Sequence, residues 1–289
     1  MPTEPGLRDI RELMDDTEAY AKELEKRWNG LLSYRYIGRS YASMNDGVAD
    51  ATVALRHDMR NSTGGLLVAP IAISAPESGG YTDMEAVPNP VIYSCQLLDA
   101  GRDVKRIEVV SSETLKRGAR MGYSRSKIVD ADNPSRVLAL VEGQGAVIGQ
   151  PPEGLGKMPL NELIIEDSPD LPPLWEVFGA QRRKDGTWTL PKLSTDLASP
   201  DAALHIGPQH VALEKAAIDC AAELAGTDRL QMECWHVMHL ARGKAGPFAI
   251  HCEATEGADG KIGVAILMVD EGTDNRNVTA ASAMMRRVD

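Results

Sequence analysis

One pattern occurs twice along this chain and limits what it can fold into. A turn rich in glycine or proline leads into an apolar helical segment, and short alternating strands follow in series. The first copy turns at Asn61-Ser62-Thr63-Gly64-Gly65 and enters the apolar residues 66–75. Pro70 lies inside that segment, so a helix there either kinks at the proline or holds it in its first turn. Strands are predicted at 91–97, 104–111, 120–129 and 136–148, with Gly143 and Gly145 as bulges in the last. The second copy turns at Gly207-Pro208 and continues as an alanine-rich helix within 205–226. Strands then fall at 231–240, 248–255 and 262–269, with a strand or short helix at 278–287. A strand at 48–55 precedes the first turn, and a hairpin over 175–190, turning at Asp185-Gly186, precedes the second. The basic turns Lys116-Arg117-Gly118 and Arg242-Gly243-Lys244 take matching places in the two copies. Few letters are shared, so the repeat rests on pattern. A helix followed by a meander buries its apolar face across a curved antiparallel sheet, which makes the chain α+β.

Two flanking segments complete the organisation. Leu7, Ile10, Leu13, Met14, Thr17, Ala21, Leu24 and Trp28 recur at helical spacing, so residues 1–32 read as an amphipathic helix. Residues 151–173 are dominated by prolines and acids and read as a linker. The two copies then occupy 33–150 and 174–289. The net charge of -11 lacks the basic footprint that general nucleic-acid binding needs. No run approaches the ~20 apolar residues of a membrane span. The start MPTEPGLRDIRELMDD has no basic region before an apolar core, so no signal peptide is expected. Cys95, Cys220, Cys234 and Cys252 are far apart and show no CxxC spacing, which suits free thiols in the cytoplasm. Strand alternation puts Cys234 and His236 on one face and His239 on the other, so no metal is expected there.

The arrangement resembles the hot-dog fold, duplicated in one chain as a tandem (double) hot-dog. Each half would be a curved antiparallel sheet wrapped around a central helix. The nearest type is the PaaI-like acyl-CoA thioesterase group, and the resemblance covers residues 45–150 and 175–289. That group carries an Asn, a Gly and a His-Gly-Gly at the start of the central helix, with an Asp or Glu nine residues after the histidine. Here Gly207-Pro208-Gln209-His210 takes that place, with Asp219 at the offset. In the first half Asn61 and Gly64-Gly65 match, with Thr63 in place of the histidine and Ala72 at the acid's position. Neither half has the complete set, and His210 is followed by Val211-Ala212.

Nine helical residues rise about 13 Å and turn about 900°, so Asp219 cannot serve the start of its own helix. In hot-dogs of this kind the acid of one unit serves the helix N-terminus of its neighbour. The resemblance therefore implies one composite site, with Gly64-Gly65 amides as oxyanion hole and Asp219 as base or nucleophile. Asn61 or Thr63 would orient the thioester or a water. His210, Arg117, Arg120, Arg242 and Lys244 are candidates for substrate binding, the basic residues gripping phosphates of coenzyme A. Other readings stay open. Lys215, Asp219 and Glu223 share a helix face and also read as an ion-paired stripe. His210 also reads as a packing histidine, and basic turns are common for solubility. Glu77, Glu214 and Glu223 are the next acids in line. The implied activity is hydrolysis of an acyl thioester, with coenzyme A entering only as part of the substrate and no other cofactor. A catalytically degenerate acyl-CoA or apolar-ligand binding protein is the alternative, as is an acyl-CoA hydratase or dehydratase. The latter's Gly-Asp-x-Asn-Pro pattern is absent; Ser199-Pro200-Asp201 is a poor substitute. Expected partners are a thioester and further copies of the chain in a homo-oligomer, with no nucleic acid and no membrane.

Overall fold

Strict alternation marks β10 (Lys261–Asp270), where Ile262, Val264 and Ile266 point into the core and their neighbours face out. The same period marks β4 (Met121–Asp130) in the first half, which also holds β1 (Thr52–Ala54), β2 (Val87–Leu97), β3 (Arg106–Arg117) and β5 (Asn133–Gly149). The second half opens with the short helix α3 (Leu174–Val177), so the hairpin expected over 175–190 is confined to β6 (Gln181–Arg182) and β7 (Trp188–Leu190), and β8 (Leu230–His239), β9 (Phe248–Glu256), β10 and β11 (Arg276–Arg287) follow. The computed structural model describes residues 7–38, 52–156 and 164–288. Residues 48–51 of the expected first strand, 1–6 of the expected N-terminal helix and 157–163 of the expected linker lie outside the described residues.

The strands form one antiparallel sheet in the order β1-β3-β4-β5-β2-β8-β11-β10-β9-β7-β6. Outward from β2 the first half runs β5, β4, β3, β1; outward from β8 the second runs β11, β10, β9, β7, with β6 added at the edge. The two halves thus repeat one strand order and join where β2 pairs with β8, from Ile92 opposite Met238 to Gln96 opposite Cys234. Helix α2 (Val68–Ser74) precedes β2 as helix α4 (Ile206–Ala225) precedes β8. Helix α4 lies over β7, β9, β10 and β11 and packs against α2, and their apolar side chains share one core.

The N-terminal segment is not one helix. A 3-10 turn at Ile10–Leu13 is followed by helix α1 (Thr17–Gly30), because the Asp16 carboxylate caps α1 by accepting from Ala19 N at 3.0 Å. Ile10, Tyr20, Leu24, Trp28 and Leu31 then form a small core of their own. Gly143 and Gly145 do not bulge β5. They face Ser124 and Gly122 in regular register, and the irregularity falls on β2 between Pro90 and Ile92. The glycines serve a close approach instead: a Cβ on Gly143 would stand 2.5 Å from Glu77 O, and one on Gly145 would overlap Ser78 O. The two basic turns do not correspond either. Lys116-Arg117-Gly118 leads from β3 to β4, whereas Arg242-Gly243-Lys244 lies between β8 and β9, the counterpart of the β2–β3 connection. That second loop is shaped by the buried Asp270 carboxylate, which accepts from the amides of Lys244, Ala245, Gly246 and Gly272.

Candidate functional site

The two central helices begin differently. Helix α4 is capped by His205, whose Nδ1 accepts from Gly207 N at 3.1 Å, and it ends at Gly226 in the left-handed conformation (φ 67°). Pro208 sits in its first turn, where the missing N–H is no loss. Helix α2 has no cap from its own side chains; Leu67 precedes it, and all seven of its residues are buried. Its first amides would be buried donors without partners. Glu214, in the third turn of α4, satisfies them. Oε1 accepts from Val68 N at 2.6 Å and Oε2 from Ala69 N at 2.8 Å.

Glu214 is therefore an acid of the second half set on a helix N-terminus of the first. Its side chain is buried, and burial pushes its pKa up to about 7 against the downward pull of the two amides. Beside it lies a cavity of about 40 Å³, lined by Leu67, Ala69, Trp175, Val211 and Ile218. Lys215 and Trp175 stand at its side. The Lys215 ammonium lies 5.6 Å and 5.4 Å from the ring centroids of Trp175 and Trp188. The arrangement can stabilise a developing oxyanion with two helix amides and a partial positive charge, and it can take up a proton near neutral pH.

The residues singled out from sequence fall elsewhere. Asp219 does not reach the start of α2. It is five residues beyond Glu214, about 140° around the helix after one full turn. There it pairs with Lys215 Nζ at 2.7 Å and accepts from Trp188 Nε1 at 3.2 Å. Gly64 and Gly65 do not offer free amides. Asn61 Oδ1 accepts from Thr63 N, Thr63 Oγ1 and Gly65 N, while Gly64 N bonds Asn61 O, so the loop closes on itself. Asn61 Nδ2 in turn donates to Leu230 O. These four residues brace the approach to α2 rather than its end. His210 is buried and accepts from Trp235 Nε1 at 3.0 Å; burial, with His205 nearby, lowers its pKa to about 3 and keeps it neutral.

Three of the four basic candidates are bound by neighbouring groups of the chain. Arg117 pairs with Glu85 and lies over the Tyr81 ring, and Arg120 is exposed beside it. Arg242 pairs with Asp201, and Lys244 Nζ donates to the carbonyls of Asp201 and Ala202. Of the reserve acids, Glu223 pairs with Arg182, and Glu77 turns to Ser126 Oγ in a left-handed backbone conformation (φ 45°). The signal that finds Glu214 is Pro208. A proline belongs in a helix's first turn, so α4 must start ahead of it, at His205, and the residue nine positions on is Glu214.

No family model matches the chain, and no curated protein matches it. Solved structures do. A tesB protein of Mycobacterium avium subs paratuberculosis superposes with a TM-score of 0.56 over 86% of this chain and 100% of its own, at 13% identity. The acyl-CoA thioesterase II TesB2 of Mycobacterium marinum gives 0.53 over 83% and 94%, at 12% identity. The 12:0-ACP thioesterase of Umbellularia californica gives 0.52 over 82% and 93%, at 10% identity. The chain shares the fold of these structures. Among the described residues no helix is long and apolar enough to cross a membrane.

Proposed function

We propose that this protein is a tandem hot-dog hydrolase of acyl thioesters, with Glu214 as the general base and the Val68 and Ala69 amides as the oxyanion hole. One observation carries the reading: a buried carboxylate with a pKa of about 7, contributed by one half, sits on two helix amides of the other. The names of the superposed structures support the substrate class, and acyl-CoA is the first thioester to try. The PaaI-like spacing also supports it once His205 is taken as the histidine, since Glu214 then holds the acid's offset. In the reaction the thioester carbonyl oxygen takes over the amides of Val68 and Ala69. The freed carboxylate accepts a proton from water as the water oxygen bonds to the carbonyl carbon. The tetrahedral oxyanion collapses, the C–S bond breaks, and Glu214 returns the proton to the departing thiolate, leaving a carboxylic acid and a thiol.

A second reading has its own observation. Both oxygens of Glu214 are already bound by amides, as in a purely structural cap, and such a protein would hold an acyl thioester without turning it over. Thiol release from short, long and aromatic acyl-CoAs separates the two. Under the hydrolase reading, Glu214→Gln lowers release at least ~100-fold while Asp219→Asn changes it less than ~3-fold. Saturable binding with no thiol release by the unaltered protein, or full activity in Glu214→Gln, would sink it.

A further inference from the structure

Each of the two helix starts has a cavity beside it, and the two differ in size and in chemistry. Nine residues after His205, the residue that caps α4, is Glu214; nine residues after Leu67, the residue before α2, is Pro76. The cavity at the start of α4, about 130 Å³, lies under the N-terminal segment through Ile10, Leu24 and Trp28. Pro76 lines it, and the neighbouring Glu77 turns away to Ser126, so α2 sets no carboxylate on the start of α4. The carboxylate of Glu214 stands instead at the smaller cavity, about 40 Å³, at the start of α2. An acyl group attacked with Glu214 as the base has to lodge in that smaller space.

We infer that the cavity beside Glu214 is an acyl pocket for a chain of two or three carbons, and that Trp175 sets this limit. The inference rests on the hydrolase reading of Glu214. Volume gives the length. An engineered cavity of about 150 Å³ takes the six heavy atoms of benzene, so one of about 40 Å³ takes roughly two. In the reaction the carbonyl oxygen sits on the Val68 and Ala69 amides, so these atoms are the tail beyond the carbonyl carbon. That tail is one carbon in an acetyl group and two in a propionyl group. The lining gives the class. Leu67, Ala69, Val211 and Ile218 offer hydrocarbon to it, as does the buried Leu174 of α3. A fitted apolar pocket discriminates about tenfold or more for each methylene. The wall that Trp175 adds is held by a closed ring of contacts. The Trp175 and Trp188 rings meet edge to face, with centroids 5.1 Å apart. Trp188 Nε1 donates to Asp219 at 3.2 Å, and Asp219 accepts from Lys215 Nζ at 2.7 Å. The Lys215 ammonium returns to the Trp175 ring, 5.6 Å from its centroid. A ring fixed at each of these points resists swinging aside for a longer chain. Asp219, singled out from sequence as an acid, thus acts here on the pocket wall.

Steady-state thiol release by the full chain from acetyl-, propionyl-, butanoyl- and octanoyl-CoA tests it. Propionyl-CoA should exceed octanoyl-CoA in kcat/KM by at least ~10-fold. Trp175→Ala removes the wall and should raise the octanoyl-to-propionyl ratio at least ~10-fold. Ile218→Ala is the gentler variant and stands in if Trp175→Ala does not fold. It makes room for about three carbons and should bring butanoyl-CoA level with propionyl-CoA. Calorimetric titration with S-propyl- and S-octyl-coenzyme A, which carry no carbonyl to attack, separates this inference from the reading it rests on. S-propyl-CoA should bind at least ~5-fold more tightly. If no acyl-CoA releases thiol while the thioethers keep this order, the hydrolase reading falls and the short-chain pocket stands. Octanoyl-CoA cleaved as readily as propionyl-CoA, S-octyl-CoA bound as tightly as S-propyl-CoA, no binding of either thioether, or an unchanged chain-length order in the folded variants would each overturn the inference.

Discussion

Glu214→Gln should change how stability depends on pH, and the structure sets both sign and size. Burial lifts the Glu214 pKa from its ordinary 4.5 to about 7, so the folded protein holds a proton that the unfolded chain has released. A raised pKa stabilises the fold below the unfolded value, and that contribution is lost as pH climbs through the folded one. The full displacement is worth about 3 kcal/mol, of which about 2 kcal/mol falls between pH 5 and pH 8. Glutamine has no such titration. Compared with the protonated carboxyl, it replaces a hydroxyl oxygen that can still accept from the second α2 amide with an NH2 group that cannot, a cost of about 1–3 kcal/mol that does not vary with pH. Urea unfolding of both proteins at half-unit steps from pH 5 to pH 8 measures the difference. Many other carboxylates titrate with the opposite sign, Asp9, Asp99 and Asp201 among them, but they are common to both proteins and cancel. The variant should be less stable at pH 5 and should close the gap by about 2 kcal/mol by pH 8. A difference that stays flat across this range would mean an ordinary carboxylate at position 214 and would refute both the pKa and the general-base role drawn from it.

Three further outcomes follow from the same structure. Thiol release should rise about tenfold per pH unit below pH 7 and level off above it, as Glu214 ionises; a flat profile in a pH-rate series would remove Glu214 as the base. Arg242→Ala should destabilise the fold by about 3 kcal/mol at pH 7, because it leaves the Asp201 carboxylate buried beside Ser199 without its guanidinium. Burial pushes the Asp201 pKa up, but Arg242 first and then Ser199 and Lys244 hold it below the ordinary value. In the variant the carboxylate protonates more readily, so the deficit should narrow as pH falls toward 4; denaturant melts at the two pH values check this. Gly65→Ala should cost about 1–3 kcal/mol in urea unfolding, since a Cβ there would overlap the buried Gln231 side chain, with its Cδ only 3.1 Å away.

Hydrophobic period exposes most of the strands and the long helix, because alternation and alanine content act locally. Val264 and Ile266 must face the core wherever the strand sits in the sheet. An acid on α4 does serve a helix other than its own, but it is Glu214 rather than Asp219. Pro208 sets the register, because its preference for a first turn outweighs the resemblance of Gly-Pro-Gln-His to a helix start. The closed Asn61–Gly65 turn was not legible because its hydrogen bonds consume the amides that a glycine pair suggests are free. Gly143 and Gly145 give no local sign of what lies over them; residues 77–79 cross them from a different part of the chain. The partnership of Arg242 with Asp201 spans a loop whose shape depends on Asp270, so it follows from tertiary structure alone.

The pairing of β2 with β8 in one continuous chain has a consequence for how such a protein can vary. Two identical chains associated along the same seam would present two identical helix ends, and every substitution would strike both. An acid removed from one would be removed from its twin. Here the corresponding positions are written independently, glutamate at 214 and proline at 76. One genetic change can therefore reshape the cavity under the N-terminal segment and leave the carboxylate on α2 untouched, and the reverse holds as well.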